Sequence, residues 1–196
     1  MTSRDDILAA LRRASPPASP LPEPPKAVVF PDPVAQFADV VRAVGGACIR
    51  VADLSALNAE LARLEPYSKA HRIASLVPGA GAPSVDLASI RDPHELEGVD
   101  VAIIPGELGV AENGAVWVPG SALGPQRAIF VIAEHLVLVV PAGRIVHTMH
   151  EAYERIRIER PGFGLFICGP SKTADIEQAL VIGAHGPRSC TVFLLG

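Results

Sequence analysis

The sequence predicts an α/β protein in three layers, an α/β/α arrangement with helices on both faces of a mainly parallel sheet. Short apolar runs recur over residues 47–51, 73–77, 99–104, 136–140, 165–168 and 191–195, each bounded by glycine, proline or polar residues. Segments with apolar side chains at helical spacing stand between several of these runs, and strands separated by such helices imply parallel, right-handed crossovers. With 196 residues and 49% hydrophobic content, the chain can bury one sizeable core without disulfides.

Taken in order, Ser3 caps a predicted helix over residues 4–14, with Asp6 completing a capping box and Ile7, Leu11 and Ala14 forming an apolar stripe. Residues 15–33 are dense in proline, which breaks helix and sheet and favours an extended arm. The expected organisation is therefore an N-terminal helix and arm over 1–33, followed by one domain over 34–196. That helix can dock on its own domain, on a neighbouring subunit of a homo-oligomer, or on a partner protein; the sequence does not choose.

A second helix is expected over 33–44, with Val34, Phe37, Val40, Val41 and Val44 on one side and Gly45-Gly46 stopping it. The run 47–51 is a strand. Asp53 caps the next helix, whose Leu54, Leu57, Leu61 and Leu64 cover one face. Strands over 73–77 and 99–104 follow, with a helical turn at Pro93–Leu96 between them. Asn113-Gly114, set between apolar runs, is the signal for a type I′ hairpin. After strand 136–140 a helix is expected over 144–157, with Ile145, Met149, Ala152, Tyr153 and Ile156 inward and His147, His150, Glu151 and Glu154 solvated. Residues 165–168 read as a buried strand. Ser171 or Thr173 then caps a helix over 174–182 that Gly183 ends, before the last strand at 191–195.

Composition narrows the function. A net charge of -4 without basic clusters argues against nucleic acid as a partner. No apolar stretch reaches the ~18 residues that a membrane span needs. The N-terminus starts with charged residues and has no apolar signal region, so a cytoplasmic location is expected. No G-x-x-x-x-G-K-[ST] or G-x-G-x-x-G motif supports ATP or NAD. Cys48, Cys168 and Cys190 are far apart and read as reduced structural residues; without a C-x-x-C run, no iron–sulfur cluster or other cofactor is expected in this chain. The His147, His150 and Glu151 group lacks the spacing of a zinc motif, so no metal site is expected either.

Reactive groups concentrate near the C-terminus. The helix expected over 174–182 would present unpaired backbone N–H groups and the positive end of its dipole beside the Lys172 charge, which outlines an anion pocket. The bend at Gly183, Gly186 and Pro187 presents His185 and Arg188. The plainer alternative is an ordinary strand, helix and turn with both cations solvated. Glu112, beside the Asn-Gly turn, is either a base or nucleophile or a simple hydrogen-bonding group. Arg127 can hold a carboxylate or phosphate through parallel hydrogen bonds. His135 can exchange a proton or merely bond backbone. In open parallel sheets ligands bind past the carboxyl ends of strands, which marks the ends of 99–104 and 165–168 as site edges.

The run Gly169-Pro170-Ser171-Lys172-Thr173-Ala174-Asp175-Ile176-Glu177, followed by Gly183-Ala184-His185-Gly186-Pro187-Arg188, resembles the C-terminal signature of the LUD domain family, and more narrowly its lactate utilisation protein C group. Ala111-Glu112-Asn113-Gly114, Arg127 and His135 extend the resemblance over about the C-terminal half. The chain departs from the family pattern at Asn113, where threonine is usual, and at Ala133-Glu134, where prolines are. The resemblance implies the fold shared by ribose-phosphate isomerase, glucosamine-phosphate deaminase and CoA transferases. It also implies a subunit or accessory of a system oxidising lactate to pyruvate, without a redox group of its own, beside iron–sulfur partner proteins. Glu112, His135 and His185 are then the catalytic candidates. Arg127, Gly169, Ser171, Lys172, Thr173, Asp175, Gly186 and Arg188 are the candidates for binding a small anionic ligand. Two other readings stay open: an independent transferase or isomerase acting on CoA or sugar-phosphate substrates, and a ligand-sensing module.

Overall fold

The computed structural model describes residues 3–14, 19–20, 22–23, 28–158, 162–175 and 178–196. Helix α1 (Ser3–Ala14) buries none of its residues. About half of the proline-rich arm lies outside the described residues. Where the arm returns, the Phe30 N–H donates to His147 Nδ1 at 3.0 Å.

Helix α2 (Pro33–Ala43) begins where the Asp32 side chain accepts the Ala35 N–H, and Pro33 suits the first turn because no donor is wanted there. Gly45, at φ +86°, turns the chain out of the helix into β1 (Ala47–Val51). Helix α3 (Leu54–Arg63) starts as expected, with Asp53 accepting the Ala56 N–H at 2.8 Å. Asp53→Ala is expected to lower stability by about 1 kcal/mol, read as a shifted urea midpoint at constant slope; an unchanged midpoint would deny the cap any energetic role.

Then come α4 (Glu65–Ser68), β2 (Ile73–Ser75), β3 (Val101–Pro105), β4 (Leu108–Val110), β5 (Ala115–Pro119), α5 (Gly120–Leu123), α6 (Ile129–Ile132) and β6 (His135–Pro141). The rest are β7 (Ile145–Val146), α7 (Met149–Arg155), β8 (Gly164–Ile167), β9 (Lys172–Thr173), β10 (Val181–Ile182) and β11 (Ser189–Leu195). The expected turn at Pro93–Leu96 is a short 3-10 helix, closed by a capping box between Asp92 and Glu95.

The central five-stranded sheet has the order β1-β11-β6-β3-β2, and each of its pairs is parallel. The mainly parallel sheet read from the sequence is therefore present. Alternation along its strands sends Val101, Ile103, Val137, Val139 and Phe193 to one face, under Leu57 and Leu61 of α3. Ala102, Ile104, Leu136, Leu138, Val192 and Leu194 go to the other, against Phe37 and Val41 of α2. A second, four-stranded sheet, β7-β4-β5-β8, also lies over that second face through Val116 and Val118. Its outer side buries Leu108, Val110, Trp117 and Val146 against Ala152 of α7 and Ile156 just after it. Burying each large apolar side chain in these layers contributes roughly 1.5–3 kcal/mol.

Several expectations are corrected. The strand at 165–168 is β8 of the second sheet, antiparallel to β5 and half-buried, so it does not end on the edge of the parallel sheet. The helix over 144–157 is divided. Ile145 and Val146, both β-branched, pair as β7 with β4, and α7 starts only after Thr148, whose hydroxyl accepts the Glu151 N–H. His147 is consequently half-buried rather than solvated, and its backbone N–H donates to the Glu151 carboxylate at 2.8 Å.

The helix over 174–182 is replaced by β9 and β10, an antiparallel pair that matches Thr173 with Val181. Gln178 takes a φ of +56°, incompatible with a continuing helix, while residues 176–177 lie outside the described residues. The hairpin at Asn113-Gly114 exists, joining β4 to β5, but it is not type I′. Only Gly114 has positive φ, and Asn113 instead closes the turn by accepting the Ala115 N–H with its side chain.

Candidate functional site

The proposed site residues fall into three places. The first is the C-terminal end of α2. The β4–β5 hairpin reaches it through Gly114, where an added Cβ would lie 3.1 Å from the Val41 backbone nitrogen. The segment after β8 reaches it as well. The Cys168 thiol donates to the Asn113 carbonyl at 3.0 Å, and Lys172 Nζ donates to the Val44 carbonyl. The Glu112 and Lys172 blocks are thus neighbours, as the sequence requires of one site. Their chemistry differs from the expectation, however. Without a helix after Thr173 there is no dipole end, and the Lys172 charge caps α2, where a cation at a helix C-terminus is favourable. Glu112 is exposed, with its backbone N–H bonded to the His147 carbonyl. Thr173 Oγ1 accepts the Asp175 N–H. Partial burial raises the Cys168 thiol above its ordinary value against the pull of Lys172.

The second place is the amino edge of the parallel sheet, where β6 and β11 begin side by side. His135, at the start of β6, is half-buried, and its Nδ1 lies 2.8 Å from Ser189 Oγ as a hydrogen-bonded pair. Its Nε2 is 4.0 Å from Glu134 Oε1, which also accepts from Arg188. Arg188 is therefore neutralised by Glu134 rather than facing Lys172. Ser171 and Gly186 pack together in the connecting loop, where the Ser171 N–H donates to the Pro187 carbonyl. His185 is exposed in the same loop. Beside His135 opens a recess of ≈ 290 Å³ bordered by Glu65, Lys69, Asp100 and Glu134. The Asp100 carboxylate accepts the His71 and Arg72 N–H groups, which holds its pKa below the usual carboxylate range.

Arg127 belongs to neither place. It lines a cleft of ≈ 350 Å³ with Glu107, Ser121, Arg157, Ile158 and Phe163. Glu107 stands just past the carboxyl end of β3, so this cleft opens where open parallel sheets hold ligands. The Arg127 guanidinium rests 5.5 Å from the centroid of the Phe163 ring. Arg144 reaches the Glu107 carboxylate at 3.4 Å. Among the described residues neither Arg127 nor Arg157 has a carboxylate partner; Arg157 spends one nitrogen on the Glu154 and Ile156 carbonyls at the end of α7. Sequence reasoning finds Arg127 and misses Glu107, Ser121, Arg157 and Phe163. The available signal is the position of Glu107 immediately after a buried strand.

Comparison with known proteins decides the family. The LUD domain pattern matches residues 85–195, more than half of the chain. The chain belongs to the LUD domain family. Lactate utilization protein C of Shouchella clausii is 34% identical over 121 residues, which cover 56% of this chain and 52% of that protein. Its namesake from Deinococcus radiodurans is 29% identical over 206 residues, covering 97% of this chain and 94% of that one. The Bacillus subtilis counterpart is 29% identical over 142 residues, 68% of this chain and 59% of that protein. The chain spans about half the length of the first of these relatives. The crystal structure of a DUF162 family protein from Deinococcus radiodurans superposes with a TM-score of 0.60 at 20% identity, over 86% of this chain and 99% of that one. That likeness shows the mixed α/β fold of this LUD domain. Among the described residues no helix is long and apolar enough to cross a membrane.

Proposed function

We propose that this LUD domain protein takes part in lactate utilisation, as a subunit or accessory of a system that oxidises lactate to pyruvate. The observation that carries the reading is the likeness to the Deinococcus radiodurans lactate utilization protein C, which runs through 97% of this chain and 94% of that one. Oxidation of lactate to pyruvate releases an electron pair and its protons, and something must accept them. This reading assigns no cluster to the cysteines of this chain. The sequence has no C-x-x-C run of the kind that holds one. Electron transfer is therefore assigned to iron–sulfur partner proteins, and this chain contributes binding and positioning of a small anion. A cationic, solvent-reachable recess is required for that task. Lys172 and Arg188 are each engaged by the protein itself, which leaves Arg127 as the candidate that faces a cleft with a guanidinium lacking a carboxylate partner among the described residues.

The test is purification with partners retained from the native cell, followed by lactate-dependent reduction of a dye with and without this chain. Loss of activity on its removal, restored by adding the wild-type protein, is the expected result. Unchanged activity in its absence would end the lactate reading and turn attention to turnover of CoA esters or sugar phosphates by the isolated chain.

A further inference from the structure

We infer that the cleft between the end of β3, α5 and the end of α7 binds a small organic dianion, and not a monocarboxylate such as lactate alone. The inference rests on the reading that this chain binds an anion, and it names the class of that anion. Charge is the first ground. Among the residues lining the cleft, Glu107 is compensated by Arg144, which leaves the Arg127 and Arg157 guanidiniums as two positive charges without a carboxylate partner among the described residues. A ligand with one carboxylate would neutralise the charge of only one of them. Two negative charges, carried by a phosphomonoester or a dicarboxylate, would satisfy both, and charge-assisted bonds to guanidinium are about twice as strong as neutral ones.

Size and lining are the second ground. At ≈ 350 Å³ the cleft lies within the roughly 300–1,000 Å³ range of small-molecule sites, far roomier than a three-carbon acid needs. Phe163 and Ile158 give it an apolar wall for the organic body, and the Arg127 guanidinium also lies within cation–π range of the Phe163 ring, 5.5 Å from its centroid. The Ser121 hydroxyl and the Glu107 carboxylate supply a donor and acceptor for a hydroxyl of the ligand. The apolar wall distinguishes this cleft from a bare anion patch. In the recess beside His135, Lys69 offsets Glu65 and Arg188 offsets Glu134, so the Asp100 carboxylate remains, the wrong sign for the same ligand.

Calorimetric titration of the full chain tests this, using malonate, glycerol phosphate, inorganic phosphate and lactate as probes at low salt and neutral pH. Either organic dianion is expected to bind at least tenfold more tightly than lactate, with affinity falling as salt is added. Malonate alone binding tightly would assign a dicarboxylate; glycerol phosphate alone would assign a phosphomonoester. Arg127→Ala is expected to lower dianion affinity at least tenfold without changing the unfolding midpoint, since this side chain is exposed. Arg127→Lys is expected to recover only part of it, because an ammonium cannot form the two parallel bonds. Equal affinity for lactate and the dianions overturns the inference, as does binding indifferent to Arg127→Ala, or binding of inorganic phosphate as tight as that of the organic dianions. The two readings fail separately. Dianion binding with no effect of the chain on lactate-dependent dye reduction removes the lactate role, whereas an effect on dye reduction without dianion binding removes this site.

Discussion

Phe37→Ala is expected to lower the unfolding free energy by about 3–5 kcal/mol, enough to threaten folding of an ordinary domain at physiological temperature. The ring is fully buried and sits where α2 meets the second sheet. The fit around it is close. A Cβ added at Gly109 of β4 would lie 2.8 Å and 3.0 Å from the Cε2 and Cζ atoms of that ring, so β4 has no side chain there to fill a vacancy. Truncation therefore leaves a cavity as well as removing buried area. The neighbouring Asp39→Ala gives the contrast, because its ion pair with Arg42 is exposed and such pairs contribute ~0–1 kcal/mol. Urea unfolding of both variants checks the contrast. A loss below about 1 kcal/mol for Phe37→Ala would mean that α2 is not anchored through this ring. The two sites should also couple: adding Gly109→Ala to Phe37→Ala should cost less than Gly109→Ala costs in the native protein, since residues in contact are not additive.

The burial of Phe37 is legible in the sequence because several local signals coincide there. In α2 the apolar spacing agrees with the Gly45-Gly46 stop and in α3 with the Asp53 cap, and Phe37, Val41, Leu57 and Leu61 all lie on the buried faces that this spacing predicts. The parallel strands show themselves through continuous apolar runs such as 101–104, which packing on both faces requires. The second sheet does not, because β4 and β7 are Leu108–Val110 and Ile145–Val146, pieces too short to carry a period, and are defined by distant pairing. The same holds at 174–182. Ala174, Ala179 and Leu180 suit a helix locally, yet Val181 and Ile182 pair with Thr173 and Lys172.

The candidate site is legible only in part for a related cause. A charge is visible in sequence, but its partner is not. Lys172 and Arg188 read as free cations, and the fold commits one to the Val44 carbonyl and the other to Glu134. Arg127 reads the same way and remains without such a partner among the described residues, while the Arg157 and Phe163 that join it arrive from a separate segment of chain.

Gly106→Ala is expected to cost about 1–3 kcal/mol and to weaken anion binding in the molecules that still fold. Gly106 is the link by which the chain leaves β3 for the second sheet, and its N–H donates to the Val139 carbonyl at 2.8 Å. An added Cβ would overlap Val116 Cγ1 of the second sheet and come within 2.8 Å of Val140 Cγ2 of the central one. Both valines are fully buried, so neither can swing away into solvent. Relief must come from parting the two sheets or shifting the backbone. Either movement displaces Glu107, the next residue, which contributes its carboxylate to the cleft and holds Arg144. Gly143→Ala serves as the control, since nothing lies within 4 Å of a Cβ built there and its φ is not positive; it should be neutral or slightly stabilising. The measurement is the unfolding midpoint and the malonate or glycerol phosphate affinity of each variant. Destabilisation by Gly106→Ala with affinity intact would separate the sheet contact from the cleft and place the ligand elsewhere. Loss of both, beside an unaffected Gly143→Ala, would tie the close approach of the sheets to the geometry of the anion site.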